Sequence, residues 1–293
     1  IRSDVAGDPE MKRMFVSEAR VALALSHANV VQTFEVRRHD AGIVLAMEHV
    51  DGLDVARLVH AHERVRGEPL PLRHVISIIA DALMGLDYAH RARGEDGALL
   101  GLVHRDISPG NILVSRAGEV KVADFGVARS KNRAHQSLDG VLKGKVAYMS
   151  PEQVRAGTID KRTDIYSMGV VLYEMLTEKR PFAGATVAII PEVVSGSFPR
   201  PCELRPELPL VLEGIVLKAM RTDKGDRYPT AGAMSEALRD AAFALHAVPS
   251  QLELGDLVEA LMASARGTIP PAGPGPGVTA LETPASKREG GDE

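Results

Sequence analysis

Two short loops constrain this chain more than anything else in it. One reads His104-Arg105-Asp106-Ile107-Ser108-Pro109-Gly110-Asn111, and the other, at 124–126, reads Asp-Phe-Gly. Between them, residues 112–114 and 120–122 read as short apolar strands around a turn at 115–118, so a fold that forms this hairpin must bring both loops together. The residue types suit one kind of chemistry. Phosphoryl transfer asks for a carboxylate that orients the attacking hydroxyl and for oxygen ligands that hold Mg²⁺ against phosphates. Mg²⁺ takes one or two carboxylates plus phosphate oxygens and water, and Asp124 with Asn111 supplies such a set. Asp106 lies in the same loop as Asn111, one presented to a hydroxyl and the other to the metal.

Further segments extend the pattern in order. Phe15-Val16-Ser17-Glu18-Ala19-Arg20 is followed by Leu25-Ser26-His27-Ala28-Asn29-Val30-Val31, and then by an apolar run from Ile43 to Gly52. Beyond the second loop come Tyr148-Met149-Ser150-Pro151-Glu152, Asp164-Ile165-Tyr166-Ser167-Met168-Gly169 and Asp226-Arg227-Tyr228. Taken together, these residues resemble the eukaryotic-type (Hanks-type) serine/threonine protein kinases of bacteria. The resemblance runs over roughly residues 1–245. It implies an α+β, two-lobed fold with an incomplete N-terminal β-lobe and a mainly helical C-terminal lobe.

By that resemblance the cofactors are ATP and Mg²⁺, and the partners are protein substrates bearing Ser or Thr. Asp106 is the expected catalytic base, and Asn111 and Asp124 are the expected metal ligands. Met47 begins the hinge at the back of the adenine site, with Glu48 and Val50 offering backbone groups to the base. Asp54 lies where a carboxylate meets the ribose, although a helix N-cap explains it as well. Leu113 is expected under the adenine, and Glu18 is the helix carboxylate that pairs with a phosphate-gripping Lys. His104 and Phe125 are expected to pack as part of an apolar column. Arg105 is expected to dock the activation segment, and Ser130 and Ser137 in that segment are candidate phosphorylation sites. Glu152 and Arg227 match a buried ion pair, and Asp164 a carboxylate bonded to the catalytic-loop backbone.

The sequence departs from the family pattern in three places. No G-x-G-x-x-G precedes the first helical pattern, and no strand Lys either, since Lys12 lies in the approach to that helix. The expectation is a fragment of a longer kinase, inactive alone; a pseudokinase scaffold is the alternative, and a small-molecule kinase of similar core is disfavoured by the extended activation segment. The family's usual Lys two positions after the catalytic Asp is Ser108, and its usual Thr after Gly144 is Lys145. Either the cation has moved to Lys145 to serve the phosphate in place of Ser108, or Lys145 is a solvent-facing loop residue.

Composition bounds the rest. A chain of 293 residues, 45% apolar, buries a substantial core. A net charge of −4 gives no reason to invoke nucleic acid or a membrane surface. The single cysteine, Cys202, excludes a disulfide framework and fits a reducing cytoplasm. No apolar run is long enough to span a bilayer. Apolar periodicity predicts helices over 10–26, 54–65, 72–90, 163–177, 185–195, 209–220, 230–245 and about 250–265, and a hairpin over 30–37 and 42–47. The expected organisation is a small-lobe remnant over 1–47, hinge and large lobe over 48–248, an added helix over 249–266, and a Pro/Gly-rich tail or linker over 267–293, with further domains in the parent protein.

Overall fold

The computed structural model describes residues 23–39, 42–94, 96–125, 145–248 and 250–265. Two antiparallel strands, β1 (Thr33–His39) and β2 (Gly42–Met47), form a hairpin of their own. This sheet leaves Phe34, Val44 and Met47 exposed. A second sheet, in the order β3-β4-β5, joins Gly52–Asp54, Ile112–Ser115 and Val120–Val122, all antiparallel. The segment leading into β1 is stitched to β5 by Val31 N donating to the Val122 carbonyl at 3.0 Å and Val122 N to that of Asn29 at 2.9 Å.

Everything after Asp54 is mainly helical. Helix α1 (Val55–Arg66) starts at Asp54, whose side chain accepts from Arg57 N, and ends at Gly67 in the left-handed region. Helix α2 (Leu72–His90) is apolar on most of its circumference, as a helix running through a core must be. After residue 145 come α3 (Pro151–Val154), α4 (Arg162–Thr177), α5 (Thr186–Ser195), α6 (Pro201–Leu204), α7 (Leu210–Ala219), α8 (Ala231–Ala244) and α9 (Gln251–Ala265). Helix α4 is buried almost throughout, so α2 and α4 form the centre around which α7 and α8 pack. Among the described residues, no helix is long and apolar enough to cross a membrane.

The added helix α9 docks on α1 and on the turn between β4 and β5. Close approach makes this possible. A Cβ on Gly118, whose φ is 75°, would lie 1.9 Å from the Gln251 carbonyl oxygen, and one on Gly255 would lie 2.6 Å from that of Arg116. Leu254, Val258 and Leu261 bury the apolar side of the helix. The predicted helices and the first hairpin appear within a few residues of their expected limits. The predicted 10–26 helix lies outside the described residues except for its end, where Leu23 and Ala24 are helical.

Candidate active site

The catalytic loop is held from beneath by one buried carboxylate. Asp164, in the first turn of α4 and fully buried, accepts from His104 N and Arg105 N at 2.8 Å each and faces His90 Nε2 at 2.7 Å. These bonds support a backbone that needs support, because Arg105 has a φ of 65°. A left-handed conformation is unfavourable for a residue with a long side chain and persists only where its surroundings over-determine it. A third tie comes from α3, where Gln153 Nε2 donates to the Arg105 carbonyl at 2.8 Å.

A single imidazole links Asp106 to the residue before Asp124. Asp106 N donates to His104 Nδ1 at 3.3 Å, and His104 Nε2 contacts the Ala123 carbonyl at 2.8 Å. With Nδ1 accepting, the proton belongs on Nε2, so the ring is neutral and spans the two loops. Its face meets Phe125, ring centroids 4.8 Å apart. His104 and Phe125 are in contact, as the expected column requires of that pair, and the bridging by both ring nitrogens is additional to it. Asp124, next to Ala123, has a φ of 59°, a conformation that Asp tolerates better than most residues.

Asn111 completes the connection. Its side-chain amide donates to the Asp106 carbonyl at 2.7 Å, and its own carbonyl accepts from Ala123 N at 2.9 Å. Tethering the NH₂ group in this way turns the side-chain oxygen, the atom a hard cation needs, to the other side. Among the described residues, no group of three His, Cys, Asp or Glu is arranged to hold a metal by itself. Asn111 and Asp124 each offer the kind of oxygen donor used by Mg²⁺ carried on phosphates, which brings most of its own ligands.

Lys145 faces Asp106. Its ammonium lies 2.5 Å from Asp106 Oδ2, with both side chains partly exposed. Ser108 is buried two residues from Asp106. Lys145 precedes a 3₁₀ turn, Val146–Tyr148, whose three side chains are buried, and Tyr148 is secured by its hydroxyl to Glu174 and by its carbonyl to Ser167 Oγ. Burial pushes the Tyr148 hydroxyl far above its ordinary pKa, and the neighbouring Glu174 carboxylate adds to the rise, so it serves as a donor.

Two of the residues expected around a nucleotide, Asp54 and Leu113, lie on the second sheet, whereas Met47 ends β2 and Glu48 and Val50 belong to neither sheet. In the strand register Asp54 pairs with Leu113 and Leu113 with Lys121, so the three side chains share one face. Lys121 reaches Glu48 Oε1 at 2.8 Å, and the other Glu48 oxygen accepts from Gln32 N at 3.2 Å. Burial pushes the Glu48 carboxyl up, but Lys121 and the Gln32 amide outweigh it and hold it below its ordinary value. Glu48 was expected to act through its backbone alone; its side chain has a bracing role that sequence reading missed. Asp54 is the N-cap of α1, and burial raises its pKa. Met47 lines a cleft with Leu25, Val30, Val31, Leu45, Asp124 and Phe125, which connects the hinge strand to the metal loop. Leu113, Val50 and Asp54 are not among the residues lining that cleft. Glu18, Ser130 and Ser137 lie outside the described residues.

The expected ion pair beneath the site is present in full. Glu152 meets Arg227 through two contacts of 2.8 Å and accepts from Thr163 Oγ1 at 2.7 Å. Arg227 also donates to the carbonyls of Arg162, Arg221 and Thr222, and its side chain is completely buried.

Comparison with known proteins agrees with this geometry. The family model described as protein kinase domain matches residues 3–209. Tyrosine-protein kinase MasK of Myxococcus xanthus is 42% identical over 235 residues, covering 80% of this chain and 36% of that protein. Serine/threonine-protein kinase PrkC of Bacillus subtilis is 33% identical over 242 residues, covering 82% of this chain and 35% of that protein. The chain thus spans about a third of the length of the curated relatives it matches. Among solved structures, a Mycobacterium tuberculosis PknI kinase domain superposes with a TM-score of 0.63 at 25% identity, covering 83% of each chain. The small sheets, the helical bulk around α2 and α4, and the loops joined through His104 and Asp164 have the same origin: this chain belongs to the protein kinase family, among the bacterial kinases of eukaryotic type.

Proposed function

We propose that the protein containing this chain transfers the γ-phosphate of ATP to Ser or Thr hydroxyls of proteins, with Asp106 as base and Asn111 and Asp124 as metal ligands. The observation that carries this reading is the bonding of Asp106, His104, Ala123 and Asn111 into one unit, which joins the base to the residue before Asp124. In the reaction, the acceptor hydroxyl oxygen forms a bond to the γ-phosphorus. The bond from that phosphorus to the β,γ-bridging oxygen breaks, and ADP leaves with the electron pair. The hydroxyl proton passes to the Asp106 carboxylate. Mg²⁺, when held by Asn111, Asp124 and the phosphates, offsets their negative charge. Met47, Glu48, Val50, Asp54 and Leu113 would receive the nucleotide base and sugar, with Lys121 fixing Glu48.

We take residues 1–47 as the small-lobe portion, 48–248 as hinge and large lobe, and 249–266 as an added helix. Within the 293 residues no Gly-rich phosphate loop or strand Lys precedes the first helical pattern, so this chain by itself is expected to transfer phosphate poorly or not at all.

The test is phosphoamino-acid analysis of a protein acceptor, after incubating the full-length protein with Mg²⁺ and ATP labelled in the γ-phosphate. Phosphoserine or phosphothreonine is the expected product. The 42% identity to a relative named as a tyrosine kinase makes phosphotyrosine the competing product. Label in tyrosine alone would overturn the acceptor class, and no label at all would favour a scaffold without activity.

A further inference from the structure

We infer that Lys145 supplies the cation that stabilises the transferring phosphate, in place of a group that Ser108 is too short and uncharged to provide. The inference rests on the proposed phosphoryl transfer and adds to it the residue that meets the developing negative charge.

Charge on the equatorial oxygens of a transferring phosphoryl group calls for a fixed positive group beside the base and the metal ligands. The described cations near this site are few. Lys121 is buried and committed to Glu48. Arg105 is itself the left-handed residue that carries the chain to Asp106, its backbone is held by Asp164, and among the described residues its buried Nε has no hydrogen-bond partner. Lys145 is the described cation in direct contact with the base, at 2.5 Å.

The two side chains are 30% and 20% exposed, so the pair is open to solvent in part. The surroundings nevertheless fix where the Lys145 backbone lies. Tyr148 N closes the turn on the Lys145 carbonyl at 3.1 Å, and buried Ser150 caps α3, whose Gln153 reaches back to the catalytic loop. Turn, helix and loop thus form a closed circuit with the ammonium and the carboxylate facing each other across it. An ammonium on a flexible stem at this point reaches an oxygen of a phosphate in line with Asp106 while keeping the carboxylate oriented. Ser108, in the loop itself, offers only a buried hydroxyl.

The experiment compares steady-state kinetics of the full-length protein with Lys145→Ala, Ser108→Lys and the double variant, all checked by thermal unfolding. Lys145→Ala is expected to lower kcat by about 10²–10³-fold, with a much smaller change in KM for ATP. Placing the cation on the loop, in Ser108→Lys with Lys145→Ala, is expected to restore at least a tenth of the original kcat. Methylammonium or ethylammonium added to Lys145→Ala gives a second readout that needs no change at the buried Ser108, and it is expected to raise kcat in a saturable way. Unchanged turnover in Lys145→Ala overturns the inference and leaves the kinase reading standing. A loss restored neither by the relocated Lys nor by the amines assigns Lys145 to seating the turn, and likewise overturns it. A wild-type protein with no transferase activity sinks the kinase reading and the inference with it.

Discussion

Replacing Asp124 by Ala in the full-length protein is expected to abolish Mg²⁺-dependent phosphate transfer, with a loss of about 10³-fold or more. The residue stands one position after Ala123, whose carbonyl meets His104 Nε2 and whose N–H donates to Asn111. Its backbone is therefore set by neighbours that the substitution leaves intact, and what is lost is the carboxylate. That carboxylate is the one anionic oxygen donor in the proposed metal pair. A metal-held charge at a phosphate supplies several kcal/mol of transition-state stabilisation, and each 1.36 kcal/mol is tenfold in rate. Titrating Mg²⁺ in the transfer assay checks this: the wild type should saturate, and the variant should show no saturable Mg²⁺ dependence. The φ of 59° at this position would be harder for Ala than for Asp, so the fold of the variant should be verified by circular dichroism.

The second large effect is on stability. Arg227→Ala is expected to destabilise the folded chain by roughly 3–5 kcal/mol, because it leaves the Glu152 carboxylate without its partner. The arginine is fully buried and bonds to three carbonyls as well as to both Glu152 oxygens, so the deletion also orphans the carbonyls of Arg162, Arg221 and Thr222. Burial pushes the Glu152 carboxyl up, but Arg227 and Thr163 outweigh it and hold the folded-state value below the ordinary 4.5. A depressed carboxylate contributes its stabilisation above the unfolded value and loses it as pH falls through the folded one. The difference between wild type and Arg227→Ala should therefore be full near neutral pH and shrink on acidification below about 4.5. Urea unfolding at a series of pH values measures it, and a pH-independent gap would show that the carboxylate is not the source.

Local pattern made much of this architecture legible. Helices with a clear apolar period were readable from spacing, and Leu72–His90 agrees at both ends. Strand β3 was not predicted, because Gly and Asp disfavour strands and only the partner strand makes sense of them. There a Cβ on Gly52 would fall 1.9 Å from the Val114 carbonyl oxygen. Helix α3 is too short to show a period, although Ser150 followed by Pro151 and Gln153 is a capping-box signature that marks its start. Helix α6 is equally short, and Pro201 with Glu203 is its local signal.

The candidate site divides along the same line. Asp106, Asn111 and Asp124 announce themselves because their loops are continuous stretches of sequence. Bracing contacts between distant residues do not. Nothing near Glu48 indicates that Lys121 will neutralise it, and nothing near His104 indicates that both ring nitrogens will be used. The sequence leaves Lys145 open between serving the phosphate and facing solvent, and it gives no sign of the contact with Asp106, which tertiary packing of the turn after Lys145 brings about.

In the proposed reaction Asp106 handles the proton of the incoming hydroxyl while its neighbours manage charge. The most direct measurement is single-turnover transfer from bound ATP by full-length Asp106→Asn, with nucleotide affinity measured alongside. Asparagine keeps the shape and cannot accept a proton as the carboxylate does. Nucleotide affinity should stay within a few-fold of wild type, and the transfer step should slow by about 10²–10⁴-fold. Transfer at the wild-type rate with ATP fully bound would contradict the assignment of Asp106 as the base.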